Sequence, residues 1–270
     1  MTQHIDIGIL GADGRMGRAI IRTLEEQPRA KLTAAVTAKD SPNLGVDAAD
    51  VAGLKSCGVN LTSDIQAALE ACDVLIDFSH PGAAIDAALA MRNTRCHTLV
   101  TGTTGYTETE EKALLTAGKN ITLLKSGNFS LGVNMLEALV EIAADKLRIG
   151  WDIEVLEMHH KHKIDAPSGT ALMLGEAAAK GRGVALKEAQ VLSREGRGDA
   201  RVEGQIGFAA LRGGGVIGAH EVRLASELEM ITLSHDAFDR NVFASGAVTA
   251  ALWAADKPAG LYDMKDVLGL

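Results

Sequence analysis

Residues 5–27 read IDIGILGADGRMGRAIIRTLEEQ. Ile5 to Leu10 form a short apolar run. From Arg15 onward Met16, Ala19, Ile20 and Leu24 recur with helical spacing. The turn between them carries Gly11, Gly14 and Gly17. A strand, a glycine-rich turn and an amphipathic helix in this order put free backbone N–H groups, and the positive end of a helix dipole, at a strand's carboxyl end. A pyrophosphate is held well there. The spacing Gly11-xx-Gly14-xx-Gly17 is not the usual GxGxxG, so the motif alone is a weak signal and its strand–helix context carries it. The competing reading is a plain structural turn.

Outward from this unit the alternation continues. Lys31 to Val36 reads as a second strand, and Ser63 with Gln66 as a capping box ahead of a helix ending near Cys72. Asp73 to Ser79 (DVLIDFS) is the clearest buried strand. Pro81 suits the first turn of a helix reaching about Asn93. His97 to Thr101 and Ile121 to Lys125 are further strands, with a capping box at Thr107 and Glu110 between them. Near-continuous apolar strands alternating with helices predict a doubly wound parallel sheet with ligands at its carboxyl edge.

Past residue 130 the rhythm changes. A helix over Leu131–Leu147, a strand over Asp152–His159 and a helix over Thr170–Lys180 precede strand-like runs near 205–212, 216–225 and 228–235. Strands without intervening helices predict an α+β domain with a mixed or antiparallel sheet. Ser193 to Gly204 is polar and glycine-rich and reads as a mobile loop. Helix returns over Arg240–Asp256.

Two more loops fall on the carboxyl edge of the first sheet: Gly102-Thr103-Thr104 after one strand, Ser126-Gly127-Asn128-Phe129 after the next. Either alone reads as a turn; together they point to one shared ligand. The second strand ends Val36-Thr37-Ala38-Lys39-Asp40, without the acid that usually holds ribose hydroxyls directly after it. Lys39 is either a reader of a 2′-phosphate or a solvated lysine. Asp40 lies close enough that a small loop shift would bring it to the ribose.

The formal net charge of −8 argues against nucleic acid or an anionic membrane as partner. Hydrophobic residues at 47% and charged residues at 23% describe an ordinary globular chain. Cys57, Cys72 and Cys96 show no CxxC spacing and read as buried small hydrophobes in a reducing compartment. With no signal-like N-terminus and no apolar run of membrane-spanning length, cytoplasm is the expected location.

Against that acidic background, His159-His160-Lys161-His162-Lys163 stands out, followed by Pro167-Ser168-Gly169-Thr170 opening a helix. Helix N–H groups, hydroxyls and the Lys163 charge suit a small anion with more than one carboxylate. His159 or His160 is placed to donate a proton where hydride delivery makes an atom electron-rich. A solvated surface turn competes with this reading. So does a metal site at His159, His160 and His162, although no cysteine or carboxylate pattern completes it, and no metal is expected.

GADGRMGR, DFSHP, GTTG, NFSLGVN, HHKHKIDAPSGTAL, the REG loop, IGFAALRGG and FASGAV…ALW…GLYDMKDVL run in order from residue 5 to residue 270. In these strings the chain resembles the 4-hydroxy-tetrahydrodipicolinate (dihydrodipicolinate) reductase family. The resemblance implies an α/β architecture. A Rossmann-like, parallel-sheet dinucleotide-binding domain over 1–130 is completed by 240–270. An α+β domain with a mixed sheet over 131–239 binds substrate and builds a homotetramer. It implies reduction of 4-hydroxy-tetrahydrodipicolinate to tetrahydrodipicolinate by NADH or NADPH, with loss of water. By motif position His159 corresponds to the general acid and Lys163 to the second catalytic residue. His160, Gly169 and Thr170, with Ser168 beside them, match substrate positions. Gly11, Ala12, Asp13, Gly14, Arg15 and Met16, then Gly102 to Thr104 and Ser126 to Phe129, match cofactor positions. Many members carry Glu-Arg where this chain has Thr37-Ala38. Both cofactors are therefore expected, with a lean toward NADPH, and His159 is expected to meet the nicotinamide only on domain closure.

Other functions remain in competition on sequence grounds. A related amino-acid or aldehyde dehydrogenase shares the two-domain plan, but the aldehyde enzyme needs a cysteine that the second domain lacks. A non-catalytic dinucleotide sensor has no need of His159 and Lys163 beside an anion site.

Overall fold

The computed structural model describes residues 4–270. The chain opens with β1 (Ile5–Leu10), α1 (Arg15–Glu25), β2 (Ala30–Val36), α2 (Ala48–Val51), β3 (Leu61–Thr62), α3 (Ile65–Ala71) and β4 (Val74–Asp77). Then come α4 (Pro81–Ala90), β5 (Thr98–Thr101), α5 (Glu108–Ala117) and β6 (Thr122–Lys125). Local chemistry sets these boundaries. Thr107 and Glu110 make both halves of a capping box at α5, and His80 caps α4 with Pro81 in its first turn. At α3 the expected Ser63 cap is displaced by one residue. Asp64 accepts the Ala67 N–H at 3.0 Å instead. A carboxylate is among the strongest caps, and the backbone turns into helix only after it.

A second unit follows: α6 (Leu131–Lys146), β7 (Asp152–His159), α7 (Gly169–Arg182), α8 (Leu186–Ala189), β8 (Gln190–Val191), β9 (Ile206–Arg212), β10 (Gly218–Ala225) and β11 (Met230–Ala237). α9 (Asn241–Ala254), β12 (Gly260–Tyr262) and α10 (Met264–Leu268) then return to the first. One compact unit is the chain up to Ser130 together with Asn241–Leu270; the other is Leu131–Arg240.

The first unit is a 7-stranded sheet in the order β12-β6-β5-β4-β1-β2-β3, parallel throughout. Successive crossovers run outward in both directions from β1 and β4, so the switch point lies between these strands, where ligands of such sheets bind. Leu69, Leu75, Met91, Leu99 and Leu114 are among the residues of a core cluster on one side of it. β12 was not expected from the sequence. It extends the sheet beyond β6 through pairing of Leu261 with Leu123.

The second unit is a 5-stranded mixed sheet, β11-β10-β7-β9-β8. β7 runs antiparallel to β10 and parallel to β9. α6 and α7 cover one face, burying Val140, Ile153, Val155, Leu174, Val222 and Leu224. Burial alternates strictly along β7, so Ile153, Val155, Glu157 and His159 share the covered face. On the segment expected to be a mobile loop, Arg194 and Arg201 both bind Glu154 of β7, and Arg201 pairs with Asp152 at 2.8 Å. The loop has no regular structure between β8 and β9, but these arginines pin it to the sheet. Cys72 and Cys96 are buried as expected; Cys57 is exposed instead, on the loop between α2 and β3. Among the described residues no helix is long and apolar enough to cross a membrane.

Candidate active site

The residues singled out from the sequence fall into two groups, one in each unit. In the first unit the glycine-rich turn is fastened to the end of β2: the N–H groups of Gly11 and Ala12 both donate to the Val36 carbonyl, at 3.0 and 2.9 Å. Gly11 adopts φ +81°, a region that favours glycine. A Cβ on Gly17 would lie 2.3 Å from the Gly11 carbonyl oxygen, so only glycine lets the helix close on the turn. Gly14 is the N-cap of α1. No side chain caps that helix, and its first turn holds no acid. The helix start is thus left open to an anionic group, which fits a dinucleotide pyrophosphate. Arg15 is exposed and Met16 half-buried beside it.

Asp13 turns the other way. Its carboxylate accepts from Ser41 Oγ at 2.5 Å and Asn43 Nδ2 at 3.5 Å, on the loop that follows β2. Burial works to raise its pKa, but the hydrogen bonds from Ser41 and Asn43 and the nearby Thr37 hydroxyl outweigh this and hold it below the ordinary aspartate value. An ionised carboxylate therefore does stand at the end of β2, supplied by the glycine turn. Lys39 and Asp40 are both exposed.

The loops that follow β4 and β5 are organised by a residue the sequence did not flag. Asp77, fully buried at the end of β4, accepts from Thr101 Oγ1 at 2.6 Å, Thr103 Oγ1 at 2.8 Å, and the Ser79 N–H and hydroxyl. Gly102 sits against the Phe78 ring, which a Cβ there would penetrate. Thr104 is exposed. In the neighbouring loop Ser126 Oγ donates to the Asn128 carbonyl at 2.7 Å, Gly127 is exposed, and Phe129 is buried with its ring 5.5 Å from that of Phe78. The three glycine-containing loops follow β1, β5 and β6 at the carboxyl edge of one sheet.

In the second unit β7 delivers His159 at its carboxyl end. The side chain is 10% exposed, and its Nδ1 lies 2.6 Å from Glu157 Oε2. Glu157, itself 3% exposed, receives the Arg212 guanidinium in a fork at 2.7 and 2.8 Å. Burial pushes the Glu157 carboxyl upward, but the bonds from Arg212 and His159 outweigh it and keep it below the usual range. His159 Nε2 is left on the opposite edge of the ring. A Cβ at position 218 would stand 3.1 Å from that nitrogen, so Gly218 keeps it uncrowded. His220 lies edge-on to His159 at 5.0 Å, with Nε2 3.3 Å from Ser168 Oγ.

The helix start lies alongside. Ser168 caps α7: its hydroxyl accepts the Ala171 N–H at 3.1 Å and its own N–H donates to Glu157 Oε1 at 3.1 Å. Ser168 is 2% exposed, while Gly169 is exposed and Thr170 half-covered. Lys163 reaches Asp165 at 2.8 Å, with 20% of the lysine side chain and 57% of the aspartate exposed. His160 has its ring 6.2 Å from that of His162. Burial first, then the nearby charges of Arg240, His162, His159 and Lys163, lower its pKa below the ordinary histidine value. Among the described residues no group of histidine, cysteine or carboxylate side chains is arranged to hold a metal ion. The second unit thus joins a buried, carboxylate-anchored histidine to a helix N-terminus and a lysine. This arrangement is suited to donating a proton to a bound small anion.

The family profile described as dihydrodipicolinate reductase, N-terminus, matches residues 5–129, and that described as its C-terminus matches residues 132–268. Proteins named 4-hydroxy-tetrahydrodipicolinate reductase from Allorhizobium ampelinum and Parvibaculum lavamentivorans are 53% identical over 264 residues and 49% over 272. These alignments span 97% and 100% of both chains. A dipicolinate-bound dihydrodipicolinate reductase from Paenisporosarcina sp. TG-14 shares the fold with a TM-score of 0.77, at 23% identity over 97% of this chain and 98% of that one. An amine dehydrogenase from Mycobacterium smegmatis shares it more distantly, with a TM-score of 0.59 at 12% identity over 97% of this chain and 96% of that one. Profiles and relatives agree along the whole length: the chain belongs to the dihydrodipicolinate reductase family.

Proposed function

We infer that this protein is a 4-hydroxy-tetrahydrodipicolinate reductase. It reduces 4-hydroxy-tetrahydrodipicolinate to tetrahydrodipicolinate, with loss of water, in the diaminopimelate route to lysine. Family membership supplies the reaction. The observation that carries its assignment to particular residues is His159, backed by an ionised carboxylate and set beside the α7 N-terminus and Lys163.

The turn of Gly11 to Met16, with the loops at Gly102–Thr104 and Ser126–Phe129, holds the dinucleotide; a bound nicotinamide supplies the hydride. The amides of Gly169 and Thr170, the dipole of α7 and the Lys163 ammonium hold the substrate's carboxylates. Lys163 exchanges Asp165, which is more than half exposed, for a substrate carboxylate. His160 lines the same turn. His159 donates from Nε2 the proton that balances the hydride, to the atom left electron-rich.

Both NADH and NADPH are accepted. The absence of an acid directly after β2 and the charge of Lys39 favour NADPH. Asp13 opposes this by placing a carboxylate beside the ribose position, so the preference is modest. The face of the second sheet away from its helices leaves Leu211 and Met230 more than half exposed. Covering that face is the role of a homotetramer, and a biosynthetic reductase drawing on the NAD(P)H pool works in the cytoplasm.

The test mixes enzyme, NADH or NADPH, and freshly made condensation product of pyruvate and aspartate semialdehyde, and follows loss of reduced-nicotinamide absorbance. Turnover is expected, and His159→Gln should lower kcat far more than it raises substrate KM. Cofactor binding without turnover would favour a dinucleotide sensor, and unchanged turnover in the variant would remove His159 from the mechanism.

A further inference from the structure

Glu157 stands two residues before His159 on β7, so both side chains leave the same, helix-covered face of the strand. Its buried carboxylate accepts four hydrogen bonds. Oε2 takes His159 Nδ1 and Arg212 Nη1; Oε1 takes Arg212 Nη2 and the Ser168 backbone N–H. Arg212 lies on β9 directly opposite His159 in register, and its Nη2 also donates to the Asp165 carbonyl at 2.6 Å. One carboxylate thus joins the histidine to the first turn of α7 and, through the arginine, to the loop carrying Lys163.

The chemistry of that carboxylate fixes the histidine. An ionised carboxylate can only accept, so the proton on this side must belong to His159 Nδ1. The nitrogen that exchanges a proton with anything outside is then Nε2, the one beside Gly218. The arginine fork satisfies the other lone pairs of a group that would otherwise be costly to bury in its charged form. We propose that Glu157, held ionised and in place by Arg212, is the positioning residue of the reaction. It keeps a proton on His159 Nδ1, so that the imidazolium gives up its other proton from Nε2 and is left as the neutral Nδ1–H form; it also aims Nε2 at the substrate and sets the distance between the acid and the anion-binding start of α7. This rests on the reading of His159 as the proton donor. Glu157 touches neither substrate nor cofactor and acts through His159.

The experiment is a double-mutant cycle in the full-length enzyme with Glu157→Gln, His159→Gln and the pair, measuring kcat, substrate KM and the Kd of pyridine-2,6-dicarboxylate. Glu157→Gln should lower kcat by at least about 10-fold, the usual cost of losing the partner that orients a working histidine, and by as much as about 10⁴-fold if the wrong tautomer is adopted. KM and Kd should stay within about threefold. In the His159→Gln background the same substitution should cost nothing further, because its only route of action is gone. Nitrogen-15 spectra taken where the rings are neutral should show His159 protonated at Nδ1 in the parent and a mixture of the two tautomers in Glu157→Gln.

A wild-type kcat in Glu157→Gln, or equal losses in the two backgrounds, overturns the proposal while leaving the enzyme's activity standing. Full turnover in His159→Gln overturns the underlying reading instead. Should Glu157→Gln fail to give a cooperative melt, Glu157→Asp and Arg212→Lys take its place. Both retain the charge but spoil the geometry, and they should show smaller kcat losses with the same non-additivity; additive losses count against the proposal.

Discussion

Lowering the pH from 7 toward 4 should destabilise this protein through His220. The residue sits on β10 at 6% exposure. It is packed edge-on against His159 and within reach of Ser168 on α7. Burial is the main influence on its ring. The charges of His159 on β7, His235 on β11 and Lys163 in the loop after β7 add to it, and Glu157 opposes them; together they push the His220 pKa from 6.5 down to about 4. The unfolded chain accepts this proton near pH 6.5 and the folded chain only near pH 4, so between those values the unfolded state binds more protons. The native state then loses stability as pH falls through the window, and the stability is fully present above it. A gap of about 2.5 pKa units corresponds to about 3 kcal/mol once both states are protonated, and to about 2 kcal/mol at pH 5. Urea unfolding of wild type and His220→Gln, at fixed protein concentration between pH 7 and pH 4.5, isolates this contribution, because all other titrating groups are common to both. The wild-type stability should fall faster, by about 2 kcal/mol at pH 5 relative to the variant. Parallel pH dependences would refute the reasoning and mean that His220 takes up its proton in the fold as readily as in the unfolded chain.

Lys163→Ala should weaken pyridine-2,6-dicarboxylate binding and raise KM by roughly 10- to 150-fold, the worth of a charge-assisted bond of about 1.5–3 kcal/mol; wild-type kinetics and affinity would remove Lys163 from the site. Asp13→Asn should shift preference toward NADPH by up to about fivefold, since a half-exposed charge is worth about 0.2–1 kcal/mol. The Kd ratio of the two cofactors by nicotinamide fluorescence, alongside kcat/KM, checks this, and an unchanged ratio removes Asp13 as a reader of the ribose. Lys39→Ala should lower NADPH efficiency alone, and equal loss with both cofactors would mean that Lys39 is only solvated.

Along the first sheet the sequence was a sufficient guide, because its signals are local. The apolar run Ile5–Leu10, the glycines at 11, 14 and 17 and the helical recurrence from Met16 to Leu24 are each confined to a few neighbouring residues, and each constrains its own backbone. The capping box at Thr107 is legible for the same reason. At α3, Ser63 and Asp64 both satisfy a cap pattern, and only the backbone geometry chose Asp64. β12 escaped because three residues carry no usable period; Gly260–Tyr262 becomes a strand only by lying beside β6.

The same division runs through the site. The basic run His159–Lys163 and the helix start at Ser168 are visible as composition and spacing. Alternation along β7 even places Glu157 on the same face as His159. What no local pattern contains is that this face is the covered one, that Arg212 arrives opposite His159 from 53 positions further along the chain, or that His220 packs against the ring. Nor does it contain the turn of Asp13 toward Ser41, or the gathering of the loops after β4 and β5 on Asp77. Those depend on which strands pair and in which register. A slip of one residue in β9 would put Arg212 on the other face of the sheet and leave the Glu157 carboxylate buried without its cation. Side-chain chemistry and local period are written in the chain; which charges meet in the interior is decided by pairing between segments far apart in sequence, and only the folded sheet supplies that pairing.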